Sequence, residues 1–106
     1  MSEPPGAMLD KLGQGDFDAR LGEPFRLTVQ GGGVVVLELI EVTAHPYLPP
    51  DRNRRRGFSL LFRGGGPGHV PQGTYRLQNH AMGTLDLFLV PLGPRDGAMA
   101  YEAVFN

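Results

Sequence analysis

The residues of this chain that could do chemistry are an arginine cluster, three histidines and a scatter of carboxylates and hydroxyls. Arg52, Arg54, Arg55 and Arg56 form the one concentration of charge. Guanidiniums recognise phosphate or carboxylate through paired donors, so this stretch is a candidate anion or partner contact. Nucleic acid is not the expected partner. The net charge is −1, and no aromatic residue is interleaved with the arginines to stack bases, Tyr47 being the nearest. A solvated or partner-facing loop is the plainer reading. His45, His69 and His80 lack the paired spacing of helical or knuckle metal sites, so neither a metal nor another cofactor is expected. The GGGPG run at 64–68 invites a phosphate-loop reading. That motif needs a Lys-Ser/Thr opening a helix, whereas here Val70-Pro71 leads into another strand. Asp51, Asp86 and Asp96 are candidate carboxylates, and Ser59, Thr74 and Tyr75 candidate hydroxyls. None sits in a nucleophile elbow or triad pattern. The expectation is a protein that is not an enzyme.

The elements that must position these residues are strands. Residues 72–92 read as two alternating arms joined at 80–83. Tyr75 and Leu77 point one way, and Leu85, Leu87 and Leu89 share a face. Period-two alternation bounded by Gly and Pro is the pattern of a β-hairpin on a core. Pro91 is expected to end this hairpin, and residues 93–97 to form a turn. Residues 25–29 make the first strand, with Phe25, Leu27 and Val29 inward, and the glycines of 30–33 turn the chain. The second strand, 34–44, carries Glu38 and Glu41, whose spacing of three puts them on opposite faces of a regular strand. A bulge near Leu39 and Ile40 would return both to solvent. Residues 58–63 and 98–105 complete six strands. Their inward sets are Phe58, Leu60 and Phe62, and Met99, Tyr101, Ala103 and Phe105. The last strand makes the C-terminal residues part of the core.

Residues 1–15 are expected to be a flexible tail and 16–106 a single β domain. Asp16 would cap one helical turn, with Phe17 and Leu21 plugging an end of the core and Gly22 stopping it. Six strands without a strong helix predict an all-β fold, an antiparallel six-stranded barrel or strongly coiled sandwich with a short N-terminal helical segment. Because each connection reverses direction, the Arg-rich loop shares an end with the 80–83 turn. His45 and His80 fall at that end, near Asp51, and His69 at the other.

The totals agree with one domain. The 106 residues can bury one core. Sixteen glycines and ten prolines lie between apolar runs, as turn chemistry does. The absence of cysteine excludes disulfides and thiol catalysis. With no signal-peptide pattern and no apolar run long enough to span a bilayer, the expected setting is soluble and cytoplasmic, with no membrane partner.

The outer face is the better clue. Leu61, Phe88, Val90 and Val104 alternate with core residues of three strands, although a solvated face should be polar. Either another chain covers them, as partner or second copy, or a second sheet does, or residues 7–21, with Met8, Leu9, Leu12 and Phe17, fold across them.

The blocks GFSLLFRG (57–64), PQGTYRLQNHAMGTLDLFLVPLGP (71–94) and YEAVFN (101–106), preceded by LGEPFRL (21–27) and LELIEVTA (37–44), resemble a family of small uncharacterised bacterial domains. The resemblance covers most of the chain after Asp16. It implies no activity and no catalytic residues. It does imply a setting similar to that of proteins encoded near phage-tail-collar-like or tail-fibre-like genes. The Arg-rich insertion is longer and more basic than the family pattern. The sequence thus points to a non-enzymatic interaction or assembly module, tail-like or fibre-like in setting, that packs through its outer face and through edge strands open to β-augmentation. A small-ligand-binding barrel, or an enzyme with a site dispersed among the loops, is the alternative.

Overall fold

The computed structural model describes residues 12–29, 31–45, 57–64 and 70–105. They form a closed barrel of six strands, all neighbours antiparallel, with one short helix at its lower end. The helix, α1, is Gln14–Asp18; the strands are β1 (Pro24–Thr28), β2 (Val34–Ala44), β3 (Phe58–Gly64), β4 (Gly73–Asn79), β5 (Gly83–Arg95) and β6 (Ala98–Phe105). The order around the barrel is β1-β2-β3-β6-β5-β4, with β4 closing on β1. The chain therefore makes two three-stranded meanders, β1–β3 and β4–β6, joined edge to edge at β3–β6 and β1–β4. Each has a long, bulged central strand.

Alternation puts Phe25, Leu27, Leu37, Leu39, Phe58, Leu60, Phe62, Leu77, Leu85, Leu87, Leu89, Tyr101, Ala103 and Phe105 inside. Phe25 and Phe62 meet edge-on at 5.2 Å, a favoured aromatic geometry. The lower end is stoppered by Phe17, whose ring lies 5.3 Å from Phe105 and 5.8 Å from Phe58; those two stack at 4.6 Å. At the upper end Val70 is buried, and its N–H donates to the Tyr101 hydroxyl at 2.9 Å. The Tyr75 hydroxyl donates to the Pro71 carbonyl at 2.6 Å. The interior of the barrel is thus filled by side chains.

Several expectations change. The helix starts at Gln14 with Gly13 as its cap, and Asp16 acts from inside the first turn, accepting the Gly13 N–H at 2.8 Å. Phe17 enters the core, but Leu21 is exposed, so the end plug is one residue and not a pair. Leu12 packs against the core. Residues 12–21 therefore stopper the barrel and do not lie across the outer face; Met8 and Leu9 fall outside the described residues. Pro91 does not end β5, which runs on to Arg95 through a second register shift between Pro91 and Gly93. Proline lacks the ladder donor, and a bulge is where a strand tolerates that loss. The final turn is only Asp96-Gly97, both at positive φ (53° and 84°), as a two-residue hairpin requires. Closure also alters the expected mode of contact: every strand is paired on two sides, so the open edge strands that β-augmentation would use are not there.

Candidate functional site

The two bulges converge on one stretch of the outer surface. In β2 the shift falls between Leu39 and Glu41, as the spacing of Glu38 and Glu41 predicts, and it turns Glu41 outward beside Leu61. In β5 the shift ejects Leu92, which is 54% exposed. Between them lie β3 and β6. Register places Glu41, Leu61, Glu102 and Val90 in one cross-strand row, with Thr43, Ser59 and Val104 in the row below. Glu41, Thr43, Ser59, Leu61, Leu92, Arg95 and Glu102 line a shallow cleft of about 270 Å³. Leu61 is its floor, facing outward yet only 7% exposed because the walls cover it.

At the lower end of this cleft the Ser59 hydroxyl and His45 Nε2 share a hydrogen bond of 2.7 Å. Gly57 makes room for the ring: a Cβ there would sit 2.7 Å from His45 Nδ1 and 2.8 Å from the Phe105 carbonyl oxygen. The His45 N–H donates to the Gly57 carbonyl at 3.0 Å, so the strand ends fix the imidazole. In the sequence Ser59 is an ordinary outward residue of β3, because its partner is fourteen positions away across a loop. Glu41 accepts the Thr43 hydroxyl at 3.3 Å.

The apolar positions adjoin the cleft on its β5 side. Phe88 and Val104 are 50% and 51% exposed, and Val90 is half-buried beside Glu102. Of the four residues expected to form an interface, Leu61 is thus the base of a groove and the other three its apolar shoulder.

Elsewhere the candidates separate. His80 Nε2 lies 3.0 Å from Glu23 Oε1, and His45 pairs with Ser59, so the two histidines are engaged by different partners. Asp51, His69, the arginines at 52 and 54–56, and glycines 65, 66 and 68 lie outside the described residues. The next element after the glycine run is β4, a strand, which removes the phosphate-loop reading. Asp86 pairs with Arg76 at 3.2 Å and Asp96 with Arg63 at 3.6 Å. Among the described residues no group of three or more metal-ligating side chains comes together, and no helix is long and apolar enough to cross a membrane.

Glu23 is the centre of a second polar cluster, at the lower end. The buried Asn79 donates to Glu23 Oε1 and to the Pro24 carbonyl, each at 3.2 Å, and its own oxygen accepts the N–H groups of Ala81 and Met82. Arg20 reaches Glu23 Oε2 at 3.2 Å. The Asn79 hydrogen bond, helped by the charges of Arg20 and His80 and opposed by burial, holds the Glu23 carboxyl below its ordinary value. The cluster clamps the 80–82 turn to the start of β1, where β1 and β4 have ceased to pair. Its polar atoms are spent on one another, which marks it as a fastener more than a binding site.

Closed, plugged at both ends and carrying its irregularities on the outside, the molecule is a small antiparallel barrel domain whose distinctive surface is the bulge-framed face of β2, β3, β6 and β5. The chain belongs to a family described as a domain of unknown function (DUF6916), whose profile matches residues 12–105. No curated protein and no solved structure matches it.

Proposed function

We propose that this domain is a non-enzymatic interaction or assembly module that contacts a protein partner through the outer face of β5 and β6. The observation that carries the reading is the exposure of Phe88, Leu92 and Val104 on one face, each about half open to solvent beside a cleft. Large apolar side chains grouped in this way lose water when another protein covers them. With the interior filled by core side chains, contact would be made by the outside of the barrel. A place in a phage-tail-like or fibre-like apparatus of a bacterial system is the finer form of the proposal, supported by the setting that the sequence resemblance implies.

The test is Phe88→Asp, alone and with Val104→Asp. Phe88 projects from the surface, so the fold should survive, with an unchanged circular dichroism spectrum and a melting temperature within a few degrees. Association, followed as solution mass by light scattering and as capture of partners from native lysate, should be lost. Association that persists in a folded double variant would count against this face.

One observation favours a second reading. A serine hydroxyl 2.7 Å from an imidazole, opening on a cleft, is half of the arrangement that activates a nucleophile. If the domain transfers acyl groups from a site dispersed around its rim, a fluorophosphonate probe will label Ser59, and His45→Ala will abolish labelling.

A further inference from the structure

The cleft names a partner chemistry. Resting on the reading of this face as an interaction surface, we propose that the cleft over Leu61 receives a lysine or arginine side chain from an extended segment of a partner protein. An apolar residue two positions along that segment would seat on Val104 and Phe88.

Three observations carry it. First, Glu41 and Glu102 flank Leu61 in a single row across three strands. At the spacing of neighbouring strands this sets their backbones ~10 Å apart, with a gap that one cationic head group fills. Among the described residues neither carboxylate forms an ion pair, whereas Glu23, Asp86 and Asp96 all do. Second, what lies between them is the apolar Leu61, and Leu92 of β5 adds a further apolar side chain to the lining of the same cleft. Lysine and arginine carry a long apolar stem under a charged head, so stem and head meet matching surfaces at once. A volume of about 270 Å³ lies below the usual range for small-molecule sites and suits one inserted side chain. Third, both departures from regular pairing in the barrel serve this place: one bulge turns Glu41 outward and the other turns Leu92 out into the lining of the cleft. Bulges re-aim side chains, and here two do so toward the same groove.

The spacing follows from the strand. Glu102 and Val104 are two apart on β6 and share its outer face. A segment lying extended along β6 also presents every second side chain to the barrel. A cation at one position and Phe or Leu two positions on would therefore reach Glu102 and Val104 together. Arg95, at the upper end of the cleft, is placed to donate to a carbonyl of the same segment.

The experiment uses the full chain and two panels of nine-residue peptides. One carries Lys or Arg two residues from Phe or Leu; the other is identical except for Glu in place of the cation. Binding is read by fluorescence anisotropy and by amide shifts in ¹⁵N spectra. The cationic panel should shift the amides of Leu61, Glu102 and Val104 and should bind at least tenfold more weakly to Glu102→Lys. The acidic panel should not bind. Equal binding of both panels, or no shift at these amides with any cationic peptide, would overturn the proposal. Loss of natural association in Phe88→Asp with none in Glu41→Lys or Glu102→Lys would overturn the cation pocket alone and leave the interaction face standing. A dimer sensitive to Phe88→Asp and indifferent to both lysine variants would do the same, with a second copy as occupant.

Discussion

Asn79 shows how much one side chain can hold. Its amide has two donors and two acceptor positions, and all four are used: two bonds leave for Glu23 and Pro24 and two arrive from Ala81 and Met82. Among the described residues it is the one buried amide, carboxylate or cationic side chain. Asn79→Ala would strand those partners near the barrel's lower end, at a cost of about 2–3 kcal/mol. In a domain of this size that lowers the melting temperature by roughly 10–20 °C. Glu23 adds a pH dependence of defined sign. Its folded-state carboxyl titrates below the ordinary 4.5, so the unfolded chain binds the proton more readily than the native one. The stabilisation is complete above that ordinary value and is lost as the pH falls through the depressed native one. Thermal melts from pH 6 to pH 3 should show the wild type losing stability faster than Glu23→Gln across the acid part of the range. Parallel curves would mean that the carboxylate contributes nothing.

At the scale of elements, the legible features were those with a short period. Alternation located six strands because each inner face must be continuous, and the Glu38–Glu41 spacing betrayed the first bulge because two carboxylates had to reach solvent on the same side. The second bulge was hidden by its own proline: Pro91 reads as a stop, and only pairing with Tyr101 and Ala100 shows that β5 continues. The cleft was less legible still. Its lining comes from β2, β3, β5 and β6, which become neighbours only through the β3–β6 seam, and strand order leaves no local trace in the chain. The His45–Ser59 bond is illegible for a different reason: the two residues flank a long loop between consecutive strands, and only the β2–β3 register brings them together. The short helix is legible in the sequence, but its turn does not use Phe17 and Leu21 as a pair, since Leu21 is exposed. Phe17 closes the barrel against Phe58 and Phe105, with Leu12 packed beside the core. Phe17→Ala should cost about 3–5 kcal/mol, the range for emptying an aromatic site in a core. Leu21→Ala, at an exposed position, should change stability by less than about 0.5 kcal/mol. Denaturant midpoints compared at constant slope would separate the two, and equal losses would restore the paired plug.

For the whole molecule, the decisive joint is the seam between the two meanders. A barrel built as two three-stranded units is complete only when β3 meets β6 and β1 meets β4. The lower part of the first seam rests on Phe58↔Phe105, Ser59↔Val104 and Leu60↔Ala103. Ending the chain at Glu102 would remove all three pairings and take the Phe105 ring out of the stack with Phe17 and Phe58. The lost ring alone is worth about 3–5 kcal/mol, and β3 would be left with an open edge against water. Set against the roughly 5–15 kcal/mol that holds a typical domain folded, that loss is enough to abolish a cooperative transition. The truncated chain should give collapsed amide dispersion and no thermal midpoint, whereas Val104→Asp, which touches the same strand only from outside, should keep both. A truncated chain with dispersed resonances and a sharp melt would show that the β3–β6 pairings from Leu61↔Glu102 upward suffice to close the barrel.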